Sequence, residues 1–599
     1  MNKINDIHAY ITQEENAYDI PVFIVDDYEW GMKEHVRLST LYKNSRYSSG
    51  NSDDKPFKNI IRPILNVQYR AEGFDVKDID LFVDSPKDYY KSFLVRKYHD
   101  KWARENDIDT FIDEMVESYV DYGGALVKNV NSSKPEVVPL RSLVFCDQTD
   151  ILSSPIGIKH FYSPDQLKEM AEYGWGEESN GADATIDEVI VLAQNSKDFD
   201  KLKGKAVKTP GKYIEVYEVH GTLPKSYLDP EDDSEEYETQ LQITTFYTDE
   251  SGIKKGLTLF KGKEKESPFK LVLRDKIYGR ALGLGGAEEL FESQVWTNYD
   301  QIRMKAMLDA ASKIVYKTTD QAFASRNNLN DIENNEILVI EAESDISQIN
   351  TSPINLPAFQ NNVAEWEAHA QTMGAANESI MGESPKSGTP FALQQLVTAE
   401  SHSLHEYRKG KLATFLDEVY RDWIIPYIVK ELQKEQEFIA ELSLDELEAI
   451  ADNLVVNESN SMVKEEILSG RLITKEDIEV YKQTVRDRFM KGDNKRFIKI
   501  LNKELSKTPI NVKTNIVGKQ KYLAQMTDKL VNVFRQIIAT PQVLDDPRMA
   551  KLFNEILESS GLSPVKYQRP RIEGGQPAEQ PQQGQQTTEP LQELATNNQ

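Results

Sequence analysis

The sequence predicts a mostly helical α+β protein built from several packed parts. Its 599 residues exceed what a single hydrophobic core usually holds. Hydrophobic residues make up 39% and charged residues 28%, which is the balance of a folded globular protein. Long segments with apolar residues three and four positions apart flank a stretch of strand-like alternation at residues 212–273. Separate helical and β-rich parts are therefore expected.

The formal net charge of −27 limits the classes of function. Proteins that hold nucleic acid by neutralising phosphates present basic surfaces, so the charge argues against that class. It does not argue against a protein past which DNA must slide, because an acidic wall does not grip phosphates. Solubility is the more ordinary reason for an acidic surface.

Neither a membrane segment nor a secretory leader is expected. No stretch approaches the roughly 18–20 uncharged apolar residues that cross a bilayer. Residues 1–15 are polar and mixed in charge, unlike a signal peptide. Cys146 is the only cysteine, so an intrachain disulfide and a cysteine-rich metal site are both excluded. Synthesis in a reducing cytosol is consistent with these features.

The first half of the chain shows helical patterns followed by strands. Residues 1–46 are predicted to be mostly helical. A helix from about Pro86 to Asp121, broken near Asp107, is predicted to end at Gly123-Gly124. Short strands are expected at residues 125–130 and 137–146, and longer half-buried strands within 212–273.

The second half contains the longest helical patterns. Residues 287–312 predict a helix of about 26 residues with one apolar stripe. The stripe consists of Phe291, Val295, Tyr299, Ile302, Ala306 and Ala310. Short strands and turns are expected at 313–357, a second helix at 358–380, and a very long helix at 391–435. Gly410 should weaken that long helix and Pro426 should kink it.

The C-terminal part is predicted to be helical and locally basic after residue 442. From about Lys566 the chain consists mainly of Gln, Pro, Glu and Thr, a low-complexity composition that predicts disorder.

A search for catalytic motifs yields none. No segment has the spacing of a phosphate-binding loop. The glycine-rich segment 283–288 could admit an anion, but Glu288 would repel phosphate. His402 and His405 lack further metal ligands in sequence, and surface or interface histidines are the better interpretation. We therefore expect no enzymatic activity, cofactor or metal, although a nuclease-type carboxylate cluster assembled in space stays open.

The order of elements between residues 278 and 425 resembles the central region of tailed-bacteriophage portal proteins. Residues 279–285 match the family's glycine-containing turn before a long stem helix. The segment 387–393, Ser-Gly-Thr-Pro-Phe-Ala-Leu, resembles the entry to its long helix, with Arg408 and Lys409 downstream. As a residue pattern the resemblance covers only about residues 279–423, through an ordered set of degenerate motifs.

The resemblance implies a portal-type architecture for the whole chain. The implied parts are a wing at 1–284 (helical at first, β-rich at 212–273), a first stem helix at 285–313, a clip at 314–357, a second stem helix at 358–380, a tunnel loop at 381–390, a long kinked wing helix at 391–435, a helical crown at 436–565 and a disordered tail at 566–599.

The resemblance also implies the function and the partners. Such a protein forms a homo-oligomeric ring of twelve subunits at one capsid vertex of the virion, through which double-stranded DNA is packaged and ejected. The implied partners are the terminase large subunit docking on the clip, head–tail adaptor proteins and the major capsid protein. The chain would be made in the host cytoplasm.

Two groups of residues are the candidates for contact with DNA. The tunnel-loop group is Gly382, Ser384, Lys386, Ser387 and Gly388, in which Lys386 is the only cation. The crown group is Lys491, Lys495, Arg496, Lys499 and Lys503, for which a solvated helical face is an equally good explanation.

Other classes of protein stay open at this stage. A different phage structural component, such as a head–tail adaptor, is disfavoured by length because adaptors tend to be much smaller. A nucleic-acid-acting enzyme without a recognisable motif and a soluble helical scaffold are the further alternatives.

Overall fold

A computed structural model describes part of the chain. The described residues are 6–47, 55–82, 89–130, 134–153, 155–195, 213–229, 235–249, 251, 253–312, 315–318, 346–349, 355–376, 391–432, 455–456, 459–460, 462–470, 473–491 and 511–514. The chain divides into two compact units, one of Met1–Gln436 with Ile498–Ala524 and one of Glu437–Phe497 with Gln525–Gln599. No helix within the described residues is both long enough and apolar enough to span a membrane.

The helices of the first unit are, in chain order, α1 (Ile7–Ala17), α2 (Met32–Lys43), α3 (Ile61–Glu72), α4 (Tyr89–Glu105), α5 (Ile108–Tyr122), α6 (Pro164–Glu169), α7 (Ile186–Asn195), α8 (Gly286–Glu289), α9 (Phe291–Ala311), α10 (Leu356–Met373), α11 (Phe391–Val419) and α12 (Ile425–Leu432). In the second unit, Lys475–Lys491 forms α13. The predicted break near Asp107 is confirmed: this residue adopts a left-handed conformation, with φ of 49°, between α4 and α5.

The strands of the first unit are β1 (Val22–Val25), β2 (Tyr28–Trp30), β3 (Ile79–Phe82), β4 (Gly124–Lys128), β5 (Glu136–Val138), β6 (Leu143–Phe145), β7 (Ile156–Tyr162), β8 (Ile214–Pro224), β9 (Tyr237–Thr248), β10 (Lys254–Lys263), β11 (Phe269–Leu273), β12 (Val315–Thr318), β13 (Ile346–Ile349) and β14 (Asn511–Thr514). All pairings between them are antiparallel. The larger sheets have the orders β10-β9-β8-β7-β6 and β11-β4-β5. The mixed α and β fold agrees with the predicted class.

One secondary-structure prediction leaves out a hairpin, and another is wrong. The mostly helical N-terminal part contains the hairpin β1–β2, because the run Val22–Val25 is rich in β-branched residues and is followed by a turn at Asp26-Asp27. The predicted helical crown contains β14, which pairs with β3 from a position more than 400 residues earlier. Local periodicity carries no information about so distant a partner.

Glycines make the junction between α5 and the segment before α8 possible. Gly123 ends α5 with φ of 79°, and a Cβ there would lie 2.3 Å from the carbonyl oxygen of Gly283. A Cβ on Gly285 would lie 2.8 Å from the Gly123 nitrogen. The backbone N–H groups of Arg274 and Gly283 both donate to the Gly123 carbonyl. The glycine-rich segment therefore serves close backbone packing.

Strand β8 contributes Glu218 and His220 to a buried group of charged side chains. His220 has its Nδ1 2.9 Å from Glu264 and its Nε2 3.0 Å from Glu218. His160 and Lys128 also contact the Glu218 carboxylate. Because both ring nitrogens of His220 face carboxylates, only the doubly protonated ring donates to both.

The stability contributed by this group is expected to depend on pH. Burial alone would lower the pKa of His220, but its hydrogen bonds to Glu218 and Glu264 raise it above the ordinary 6.5. The imidazolium therefore stabilises the fold fully below pH 6.5, and this contribution is lost as pH rises through the raised pKa. The melting temperature of the wild type should exceed that of His220→Gln most at about pH 6, and the gap should narrow towards about pH 9. A gap that widens over that range would contradict the assignment.

The long C-terminal helix of the first unit is interrupted where a kink was predicted. After α11, residues Tyr420–Ile424 form a π-helical turn that leads into α12. Pro426 cannot donate to the carbonyl four residues earlier, and its ring crowds that carbonyl, so the wider turn relieves the conflict. Gly410 causes no break in α11.

Candidate functional site

Helices α9 and α10 form an antiparallel pair. Three contacts fix their register: Ser293 with His369 (Oγ to Nδ1, 3.0 Å), the stacked rings of Trp296 and Trp366, and Asp300 with Asn362. The residues from the two helices run in opposite order along these contacts. The strands β12 and β13 pair antiparallel within the connection from α9 to α10. A two-stranded ribbon thus lies within a helical hairpin.

The buried face of α9 is mainly polar. Its buried residues are Ser293, Gln294, Thr297, Asn298, Asp300 and Met304. The Gln294 amide oxygen accepts from the backbone N–H of Ile60 at 2.8 Å, and its nitrogen donates to the Lys58 carbonyl at 2.7 Å. Asn298 accepts from the Lys58 N–H at 3.1 Å. These hydrogen bonds tie α9 to the start of α3.

The predicted apolar stripe of α9 is not its packed face. Every stripe residue is partly or largely exposed; they are Phe291, Val295, Tyr299, Ile302, Ala306 and Ala310. At 100° per residue, this stripe lies on the side of the helix opposite the buried polar residues. The side of α9 that packs within the chain is therefore the polar one. The polar side packs within the chain because its amide side chains accept hydrogen bonds from backbone N–H groups of residues 58–61.

A cluster of buried charges fixes the middle of α11. Glu72 and Arg274 are both completely buried and form a two-point ion pair, with distances of 2.8 and 3.1 Å. Arg408 bonds to Asp275 at 2.7 Å and to Glu289 at 3.2 Å. The cluster therefore joins α3, α8 and α11 with the end of β11.

His405 belongs to the same cluster, which corrects its prediction as a surface or interface residue. It is 1% exposed, with its Nδ1 3.2 Å from Glu72 and its Nε2 3.2 Å from the Ala375 carbonyl. Burial alone would raise the pKa of Glu72, but hydrogen bonds from His405 and Arg274 lower it. Glu72 therefore stays ionised within the cluster.

Nearly all the residues proposed to contact DNA lie outside the described part of the chain. This applies to the tunnel-loop residues Gly382, Ser384, Lys386, Ser387 and Gly388, and to the crown residues Lys495, Arg496, Lys499 and Lys503. Lys491 is the last residue of α13. Residues 319–345 of the segment expected to hold short strands and turns, the tail at 566–599 and the side chain of His402 are also outside it. Within the described residues, no cluster of His, Cys, Asp or Glu is arranged to hold a metal ion.

Sequence reasoning identified the stripe of α9, but it missed the buried charge cluster and the polar face on which α9 packs. Arg274 and Glu72 lie 202 positions apart in the chain, so no local pattern relates them. The polar residues Gln294 and Asn298, four positions apart in the predicted first stem helix, were the available signal for a polar packed face.

Comparisons with known proteins do not assign the chain to a family. No family model matches the chain, and no curated protein matches it. Among solved structures, a chain of the virion of a native gene transfer agent particle is 9% identical and has a TM-score of 0.29. The match covers 79% of this chain and 98% of that chain. A likeness at that TM-score carries no argument about fold or function.

Proposed function

We propose that this chain is a non-enzymatic phage structural protein, and more specifically a portal subunit that forms a ring around a DNA channel. The observation that supports this proposal is the exposed apolar stripe of α9, opposite a polar face whose Gln294 and Asn298 bond to residues 58–61 of the same chain. A single chain gains nothing by leaving such a stripe in water.

Side-by-side packing of copies explains the stripe. Tyr299 of the stripe and the neighbouring Trp296 are each 43% exposed on α9. Copies arranged around an axis would bury these side chains against a neighbour, and closure of the ring would leave no copy with an unpaired stripe. The portal resemblance supplies the expected number of twelve.

The remaining parts receive their roles from the portal resemblance. The ribbon β12–β13 lies in the predicted clip, so we assign it to docking of a terminase large subunit and then of head–tail adaptors. Residues 381–390 and the acidic balance of the chain suit a channel past which double-stranded DNA slides. The place of action would be the capsid portal vertex of the virion, next to the major capsid protein.

Negative-stain electron microscopy of the purified full-length protein, with native mass spectrometry, tests the proposal. We expect rings of about a dozen copies with a central hole, because the α9 stripe needs a neighbour on every subunit. A monomer or dimer at high protein concentration would overturn the portal assignment. A metal-dependent nuclease assay would then be the next measurement, because the enzyme alternative would gain weight.

A further inference from the structure

The β1–β2 hairpin carries an exposed apolar surface that has no role in the proposed ring. Val22 and Ile24 pack against the hydrophobic core, so Phe23 and Val25 face outwards on the other side of β1. These two side chains are 66% and 64% exposed. Tyr28 lies opposite Val25 in the register and is also exposed.

Two further exposed side chains extend this surface. Ile20 lies just before β1. Tyr278 is 92% exposed and precedes Gly279, which lies against Ile24 of β1. The hairpin patch consists of Ile20, Phe23, Val25, Tyr28 and Tyr278. An exposed cluster of large apolar side chains on a folded protein marks an interaction site.

The hairpin patch is held in a fixed position. The Gln148 side chain accepts from the backbone N–H of Met32 at 2.9 Å and donates to the Ile20 carbonyl at 2.7 Å. Both ends of the hairpin are therefore tied to the segment after β6. Arg280 donates to the Tyr28 hydroxyl at 3.3 Å. A surface that is already ordered loses little conformational entropy when a partner binds.

Carboxylates flank the hairpin patch. Asp26 and Asp27 form the turn between β1 and β2, and Glu29 lies opposite Phe23 in the register. All three acids are exposed, and none has an ion-pair partner among the described residues. These three residues are the acidic rim of the hairpin patch.

The local charge stays negative when the nearby cations in the sequence are counted. Lys33 forms an ion pair with Asp19, so these two charges cancel. Lys276 is exposed and lies two positions before Tyr278, which leaves one ammonium against the three carboxylates of the acidic rim. A negative surface repels phosphate groups, which disfavours nucleic acid and anionic lipid as partners.

The complementary partner is a protein segment that combines apolar side chains with Lys or Arg. The apolar side chains would cover the hairpin patch, and the cations would meet the acidic rim. We propose that the hairpin patch is a docking site for a basic, apolar segment of another protein. This inference goes beyond the proposed function, because it requires neither a ring nor a second copy of this chain.

Fluorescence anisotropy with a labelled peptide of alternating Lys and Val tests the inference on the full-length protein. We expect saturable binding that Phe23→Ser weakens by about tenfold, because an exposed aromatic contact is lost. Combined Asp26→Asn, Asp27→Asn and Glu29→Gln substitution should weaken binding by a similar factor at low salt. That second difference should shrink at high salt because it is electrostatic. A peptide of alternating Lys and Ser should bind much more weakly.

The matched control removes three other exposed carboxylates, on α6 and just after it. Combined Asp165→Asn, Glu169→Gln and Glu172→Gln substitution reduces the negative charge of the chain by the same amount. This variant should bind the Lys-Val peptide as the wild type does. Circular dichroism should show that Phe23→Ser is folded, because the replaced side chain packs against solvent rather than the core.

Four results would overturn the inference. They are absence of peptide binding, equal binding of the Lys-Ser peptide, equal weakening by the α6 control, and wild-type affinity in both patch variants. Loss of rings in Phe23→Ser would also overturn it, since the hairpin patch would then be a contact between copies. Rings that persist without peptide binding would remove this inference and leave the portal proposal standing.

Discussion

Replacing Arg274 with methionine is expected to lower the free energy of unfolding of the first unit by about 3–5 kcal/mol. The guanidinium is completely buried and bonds to Glu72, and it also lies 3.5 Å from Glu289. Methionine removes the charge in a place where water cannot replace it. Glu72 then keeps His405 and Glu289 keeps Arg408, but each carboxylate loses its interaction with Arg274. The loss of free energy comes from keeping carboxylates buried without this partner rather than from the net strength of the ion pair.

Urea unfolding followed by tryptophan fluorescence measures this loss. A chain with two units does not unfold in a single two-state step, so the variants are compared by the urea midpoint and not by an extrapolated free energy. Arg37→Met is the matched control, because Arg37 pairs with Glu34 in an exposed position. That change should alter stability by no more than about 0.5 kcal/mol. Equal midpoints for the two variants would show that the cluster does not stabilise the unit.

The ends and breaks of helices could be predicted from the sequence where a single residue determines them. The break at Asp107, the end of α5 at Gly123 and the interruption near Pro426 depend on conformational limits of single residues. Strand partners were less accessible, because β14 pairs with β3 across more than 400 positions. The β1–β2 hairpin could not be predicted, because the β-branched run of β1 is only four residues long and too short to show a period.

The face that a helix buries is a separate question from its existence. The stripe of α9 identified a helix correctly, yet the side that packs within the chain contains Gln294 and Asn298. Residues 58–61 offer backbone groups that need partners, and these two amides provide them. An apolar stripe predicts burial against something, but it does not say whether the partner is the same chain or a neighbouring copy.

Ile302→Glu is expected to abolish ring formation while leaving the subunit folded. Ile302 lies in the middle of the exposed stripe of α9, away from the polar residues that hold this helix in place. In a ring the change would put a carboxylate into every subunit interface, where burying an unpaired charge is strongly unfavourable. Native mass spectrometry should show low oligomers in place of rings, with an unchanged circular dichroism spectrum.

Leu308→Glu is the matched control, because it puts the same acid on the same helix at a position 49% exposed and outside the stripe. Successive residues of an α-helix are 100° apart, so Leu308 lies on the side of α9 that carries the buried polar residues and not on the side of the stripe. If the stripe forms the interface between copies, Leu308→Glu should still form rings. Loss of rings in both variants would mean that any acid on α9 disturbs the subunit itself. Rings in both would mean that copies meet through another surface, because twelve buried glutamates could not be accommodated along a closed apolar contact.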